Sequence, residues 1–517
     1  MRILFSVRNP SYVRHYESVL RLLAERGHEV LLVAERSDRH PWPAPVLDLV
    51  KTHPRISLSF MPEMSGDSWF ELATRFRQAR FYLRFLDPEY RGMPALLART
   101  RSRAPRPAIR LAETLPIGGG GRRLLARALS ALERATGTSA PFHAYLESTA
   151  PDVVVMTPLV VLKTSQLDLA RAAIERGVRN VFAVASWDNL SSKGELTFAP
   201  QRVVVWNEVQ KREAIDLHGV PAGRIEITGA QVFDEWFVKQ PATSREEFCA
   251  RVGLRADRPI VLYVCSALLE GSAAETGFVM QWVRHLRASR HAALRECGIL
   301  VRPHFKRWEE WQAVSLTGLD NVVCWPPAGA VPVDAGSKTD YFDSLFHATA
   351  VIGLNTSAMI EAAIVGRPVH TVLLPEFRDN QEGTVHFHYL LSGPNRLLVS
   401  ARSLEEHADQ LAATLADAGP HAAHSASFVR SFVRPGPDDQ PATARFVAFL
   451  EALASAAPPA PEPAPAWARA VKPLLRPFAT AAAERVRRIR DEHRQAKEQR
   501  LADHRRARRE AREQSQR

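Results

Sequence analysis

The chain has only four cysteines in 517 residues, Cys249, Cys265, Cys297 and Cys324, with no CxxC and no Cys/His spacing. That scarcity argues against a disulfide framework and a zinc site, and it suits a reducing cytoplasm. Long apolar runs are missing too. The longest, Val153 to Leu162, is interrupted by Thr157 and Pro158, well short of the roughly 20 residues that span a bilayer. The N-terminus MRILFSV lacks a small-residue cleavage site and reads as a first strand rather than an export signal. No paired-aspartate DxD motif stands near a predicted strand end, so metal-dependent donor binding is not indicated, and no cofactor is expected.

What is present is a globular composition, 46% hydrophobic and 24% charged, in a chain long enough for two or three domains. The net charge of +12 suggests nucleic acid until it is located. From Ala481 to Arg517 there are 13 Lys or Arg and 7 Asp or Glu, so half of the excess sits in a short tail. Arg outnumbers Lys 59 to 9, a compositional bias rather than a binding code.

Strand Ile3 to Val7, a loop, an amphipathic helix near 13–25, Gly27 and strand Glu29 to Ala34 form a βαβ opening. Further strands are expected at Ile56 to Phe60, Val153 to Met156, Val181 to Val184, Arg202 to Val205 and Glu226 to Thr228. A helical insertion covers about 69–146, with Gly118 to Gly121 read as a flexible turn. A second α/β unit opens at Pro259 to Cys265 and continues through Gly298 to Val301, Val322 to Cys324, the run ending at Leu354, and Val369 to Leu374. The expected fold is therefore α/β, with two Rossmann-like doubly wound domains facing a cleft: 1–240, and 241–455 as the nucleotide-donor domain. A Pro/Ala-rich linker (456–468) leads to a charged helical tail (469–517) with little apolar face.

Polar clusters fall at the predicted strand ends, where parallel sheets bind ligands. Asn355, Thr356 and Ser357 precede a short helix, whose unpaired N–H groups and hydroxyls suit a diphosphate; the same residues are also ordinary caps. Glu361, one turn on, is placed to accept ribose hydroxyls. After the strand ending at Val184 come Trp187, Asp188, Asn189, Ser191, Ser192 and Lys193, with Asp188 a candidate general base on an acceptor hydroxyl. Arg302, His304 and Lys306 follow another strand end, as departing phosphate requires. Glu376, Asp379 and Gln381 follow the next and can bond sugar hydroxyls. His15, beside Arg8 in the first βα region, is a second catalytic candidate by position. His386 and His388 have the spacing of one face of a strand.

These residues resemble a known family. Met1 to Ala34, with Arg26-Gly27-His28-Glu29-Val30, is similar to the first βαβ of GT-B glycosyltransferases, and Gly353 to Val369 resembles their donor-phosphate segment. More narrowly, Ser186 to Gly194 resembles a loop of the CDP-glycerol glycerophosphotransferase family, with Asp188 where that family has a proposed catalytic histidine. Arg302-Pro303-His304 resembles its HP segment, with Phe305 in place of proline, and Thr356-Ser357 its phosphate-contacting motif.

The resemblance implies a metal-independent transferase. It would move a sugar or polyol phosphate from a CDP-, CMP- or UDP-type donor to a cell-surface glycan or lipid-linked acceptor, in the cytoplasm and at the inner membrane face if the acceptor is membrane-bound. A UDP-sugar 2-epimerase of the same fold and a non-catalytic nucleotide-sugar or glycan-binding module are the alternatives. The tail reads either as a solvated helix or as an anionic-membrane contact. No aromatic residue follows Phe478 to interleave its arginines, so no nucleic-acid partner is expected.

Overall fold

The computed structural model describes the chain except residues 37–40, 65, 115–117, 270, 328–333, 438–439 and 515–517, and except the side chains of 497 and of residues from 500 onward. Two parallel sheets organise it. The first runs in the order β3-β2-β1-β4-β5-β6-β7, with β1 Arg2–Val7, β2 Glu29–Ala34, β3 Ile56–Phe60, β4 Val153–Thr157, β5 Arg179–Ala183, β6 Arg202–Val205 and β7 Ile225–Ile227. The second runs β10-β9-β8-β11-β12-β13, with β8 Ile260–Val264, β9 Gly298–Arg302, β10 Val322–Cys324, β11 Ala350–Gly353, β12 Val369–Val372 and β13 Leu398–Ala401. Both are doubly wound. The strand order reverses beside β1 and β4 in one sheet and beside β8 and β11 in the other, and a crevice opens at the carboxyl ends of strands at such a point.

The strands at these centres are apolar on both faces because helices cover both. Ile3, Leu4 and Phe5 of β1 and Val261, Leu262 and Tyr263 of β8 are fully buried. β13 is the one strand of the second sheet that the apolar pattern did not reveal; Leu398-Val399-Ser400-Ala401 is short and half polar, and its place at the sheet edge explains both.

Several local expectations are corrected. The glycines at 118–121 do not form a free turn: the helix Gly119–Thr136 starts there, because the residues after them carry an apolar stripe that packs on the helix Ser68–Arg84. His386 and His388 lie on the helix Val385–Leu391, where positions two apart diverge; His386 is buried and His388 exposed. The tail is one long helix, Ala466–Gln514, and it does have an apolar face. Ala468, Leu475, Ala479 and Ala482 are buried with Leu72 and Ala135 of the insertion. Alanine makes that face inconspicuous in a hydropathy reading.

The helix Ala442–Ser455, read above as the end of the second unit, crosses back to the first. Phe446, Val447, Leu450 and Leu453 enter its core beside Tyr16 and Val19, Asp234 accepts from the backbone N–H groups of Ala442 (3.1 Å) and Thr443 (2.6 Å), and Glu451 meets Arg26 at 2.7 Å and His28 at 2.8 Å. Among the described residues no helix is long and apolar enough to cross a membrane.

Candidate active site

A cavity of about 400 Å3 lies between the carboxyl ends of the two sheets. The first unit lines it with Ser186, Trp187, Asp188, Ser192 and Lys193. The second supplies Ala267 to Leu269, His304, Lys306, Asn355, Thr356, Ser357, Asn380, Thr384 and His386, and the helix Pro94–Arg103 of the insertion adds Leu96 and Arg99. Three strand-end loops predicted separately, after β5, β9 and β11, therefore converge.

The loop after β5 is held by its own polar groups. Asn189 is buried, and its side-chain oxygen accepts from the backbone N–H of Ala185 at 3.1 Å and of Ser186 at 3.2 Å, folding the chain back into one helical turn, Asn189–Ser192. That turn offers Asp188 to the cavity, where Lys193 Nζ lies 2.8 Å from Oδ2. Burial acts to raise the pKa of Asp188, but the Lys193 ammonium, His386 and hydrogen bonds from Lys193 and Ser186 outweigh it and hold the carboxyl well below the ordinary aspartate range. In this arrangement Asp188 is a firmly ionised ion-pair partner and a weak base. Ser191 is fully buried and does not line the cavity. Arg99 and Arg84 brace the turn from the insertion, donating to the carbonyls of Ser192 (2.6 Å) and Leu190 (3.1 Å).

The two units meet at His386. Its ring stands edge-on to Trp187 with centroids 4.6 Å apart, Nδ1 is 3.0 Å from Ser192 Oγ, and Nε2 is 3.4 Å from the amide nitrogen of Asn355. That amide also donates to the carbonyl of Asn380. An amide nitrogen only donates, so Nε2 is the acceptor and the ring proton sits on Nδ1, toward Ser192. Burial pushes the His386 pKa down to about 4, with Lys193 and Arg99 acting the same way and Asp188 opposing. His386 is thus neutral at neutral pH. The sequence shows a His-rich segment but not its partner loop nearly two hundred residues away.

On the second unit's wall, Ser266 Oγ accepts from the backbone N–H of Asn355 at 3.1 Å. Ser266 is itself fixed, its N–H donating to buried Glu275 at 2.8 Å. Thr356 and Ser357 stand at the cavity, Ser357 exposed, before a helix of two turns, Ala358–Ile364. His304 Nδ1 accepts from the backbone N–H of Lys306 at 3.3 Å; burial, then Lys306 and Arg307, take its pKa down to about 4.

Other predicted residues lie elsewhere. Arg302 is 7% exposed and turns behind the wall, donating to Asp340 Oδ2 (2.9 Å) and Ser344 Oγ (2.6 Å) over the Tyr341 ring. The hydroxyl of Tyr341 in turn donates to Glu361, which is outside the cavity lining; burial raises its pKa. A ribose at Glu361 would have to compete with that phenol. Glu376 and Asp379 are exposed and away from the lining, and Gln381 is fully buried in its own sheet; Asn380 reaches the cavity from that loop instead. His15 ends the 3-10 helix Pro10–His15 and does not line the cavity. Burial and Arg14 lower its pKa to about 3, while the charge of Asp188 acts on it in the opposite direction.

Two additions were not read from the sequence. Ala267 to Leu269 follow a strand end directly, so position alone could have found them, whereas Arg99 and Leu96 sit mid-helix in an insertion and carry no local signal. Among the described residues no group of three or more His, Cys, Asp or Glu is placed to hold a metal ion.

No protein-family model and no curated protein matches the chain. Solved structures do. A glycosyltransferase from Rickettsia africae superposes with a TM-score of 0.50 at 10% identity, covering 88% of this chain and 99% of its own. The UDP-GlcNAc 2-epimerase from Neisseria meningitidis bound to UDP-GlcNAc gives 0.46 at 9% identity, over 88% and 99%. The wall teichoic acid polymerase TagF gives 0.41 at 10%, over 88% and 89%. At such identities the likeness concerns the fold alone, and of these three only the first is strong enough to be used. With the two doubly wound sheets facing one cleft, it defines the class: a GT-B architecture of two Rossmann-like units, with a helical C-terminal extension.

Proposed function

We propose that this protein is a GT-B transferase that moves a sugar or polyol phosphate from a nucleotide-linked donor, without a metal, to a glycan or lipid-linked acceptor of the cell surface. The observation that carries the reading is the composition of the cleft. Among the described residues, Arg99, Lys193 and Lys306 line it against the single carboxylate of Asp188, beside Thr356 and Ser357. Three cations and two hydroxyls suit a diphosphate, and fixed cations can take up the charge of the departing nucleotide.

The second unit would hold the donor and the first would present the acceptor. A CDP-, CMP- or UDP-type donor and a place at the cytoplasmic face of the membrane follow from the resemblance of Ser186 to Gly194 to the CDP-glycerol glycerophosphotransferase loop. In that scheme Asp188 acts only after a change: donor phosphates draw Lys193 away, the carboxylate loses its partner, and its pKa rises toward a useful base.

The test is donor binding followed by turnover. A matching nucleotide-linked donor is expected to raise the melting temperature, and K306A with S357A to weaken its binding about tenfold, roughly 1.4 kcal/mol, without lowering the melting temperature of the free protein. D188N should keep donor binding and lose transfer; full transfer by D188N sinks the base assignment. Interconversion of a free UDP-sugar with no acceptor would mean an epimerase instead, and tight binding without turnover a binding module.

A further inference from the structure

The helix Ala466–Gln514 has a second face. About a quarter turn around from the alanine stripe buried on the insertion, Trp467, Leu474 and Phe478 share one line at i, i+7 and i+11. They are 44%, 71% and 64% exposed. Large apolar side chains aligned in this way differ from scattered surface hydrophobics and mark a contact surface. The charge around them is one-sided. Between Ala466 and Arg490 there are seven Lys or Arg and one acidic residue, Glu484, a net +6.

We propose that this face docks on an anionic membrane surface, with Trp467, Leu474 and Phe478 entering the headgroup boundary and the flanking arginines meeting lipid phosphates. A helix with an apolar stripe, a Trp at one end and basic flanks lies in such an interface rather than across it. Charge selects this occupant over a second copy of the chain, which would press one cationic helix against another.

The geometry also ties the surface to the cleft. The helix packs on Ser68–Arg84 and Gly119–Thr136, Ser68–Arg84 packs on Pro94–Arg103, and the last of these carries Leu96 and Arg99 into the cavity. If the reading above holds, one helical block both rests on the bilayer and borders the site, so an acceptor can be used while its lipid end stays in the membrane.

Co-sedimentation of the full chain with phosphatidylcholine vesicles, with and without phosphatidylglycerol, tests the proposal. Binding to the anionic vesicles is expected to exceed that to the neutral ones by about tenfold at low salt. W467S/L474S/F478S should reduce it about tenfold with an unchanged melting temperature, and R485E/R488E should erase the preference for anionic lipid. The idea is overturned if the triple variant binds as the wild type does, if the two vesicle types bind alike, if neither binds, or if the triple variant instead abolishes self-association seen without vesicles. Vesicle binding without any donor-induced thermal shift would leave docking standing and remove the transferase reading; the reverse pattern would do the opposite.

Discussion

Two polar segments of the second unit, Asn355 to Ser357 after β11 and Glu376 to Gln381 after β12, look alike as sequence and differ in use. In the first, Asn355 anchors and Ser357 remains open. Asn355 is tied to Ser266, Asn380 and His386, Thr356 Oγ1 accepts from the backbone N–H of Ala358 at 3.4 Å, and Thr356 and Ser357 both line the cavity. In the second, Gln381 turns inward. Its amide nitrogen lies 3.2 Å from the carbonyl of Leu354, 3.1 Å from Thr371 Oγ1 and 3.0 Å from the carbonyl of Val372, so it ties together the ends of the two strands. Glu376 and Asp379 are left in solvent. Polar groups already paired within the protein hold its shape, and those left open at a cavity are the ones available to a ligand.

The largest effect should therefore come from Q381A. Removing an amide that serves three buried acceptors is expected to cost about 3 kcal/mol of stability, read by denaturant unfolding, while donor affinity of the folded protein stays within about twofold. Lost donor binding at unchanged stability would reverse the roles of the two segments.

Next comes Glu213, another paired group, buried between the units and accepting from Tyr389 OH at 2.8 Å. Burial lifts its pKa from 4.5 to about 7, against hydrogen bonds from Tyr389 and Ser191. Because the folded value is the higher one, the protonated carboxyl's stabilisation is complete below pH 4.5 and is lost as the pH rises through about 7. E213Q should flatten that decline by at most about 3 kcal/mol, the rise from 4.5 to about 7 taken at about 1.4 kcal/mol per pH unit. Part of the decline should remain, since burial also lifts Glu275 to about 7. An unchanged pH profile would show that Glu213 is not a protonated contact between the units.

The smallest effect is expected of E376A and D379A, which should change stability by no more than about 0.5 kcal/mol and donor affinity by less than about twofold. A tenfold loss in either would bring the second segment back into the site.

Much of the fold was legible because periodicity reports burial. Apolar runs such as Ile3 to Phe5 and Pro259 to Cys265 fit the inside of a parallel sheet covered on both faces. The site was legible to the extent that it depends on strand ends: Asp188, His304, Lys306, Asn355, Thr356 and Ser357 were found because a polar residue after a buried strand has one end of the sheet to face. Direction was not legible. Arg302 and His304 are two apart at the end of the same strand, yet one is clamped by Asp340 behind the wall and the other borders the cavity. The tail's alanine face escaped notice for a different reason, as small side chains bury little area yet permit close helix packing.

By itself, then, the sequence determined the two parallel units, the polar strand ends and the basic tail, since these follow from local pattern and chain order. Only the tertiary structure decided which polar groups are consumed and which remain open. It set Asp188 against Lys193, brought His386 across to Ser192, and drew Arg99 from a distant insertion into the cleft. The last two join residues far apart in the chain, and no local spacing encodes the side of a wall on which a side chain finds its partner.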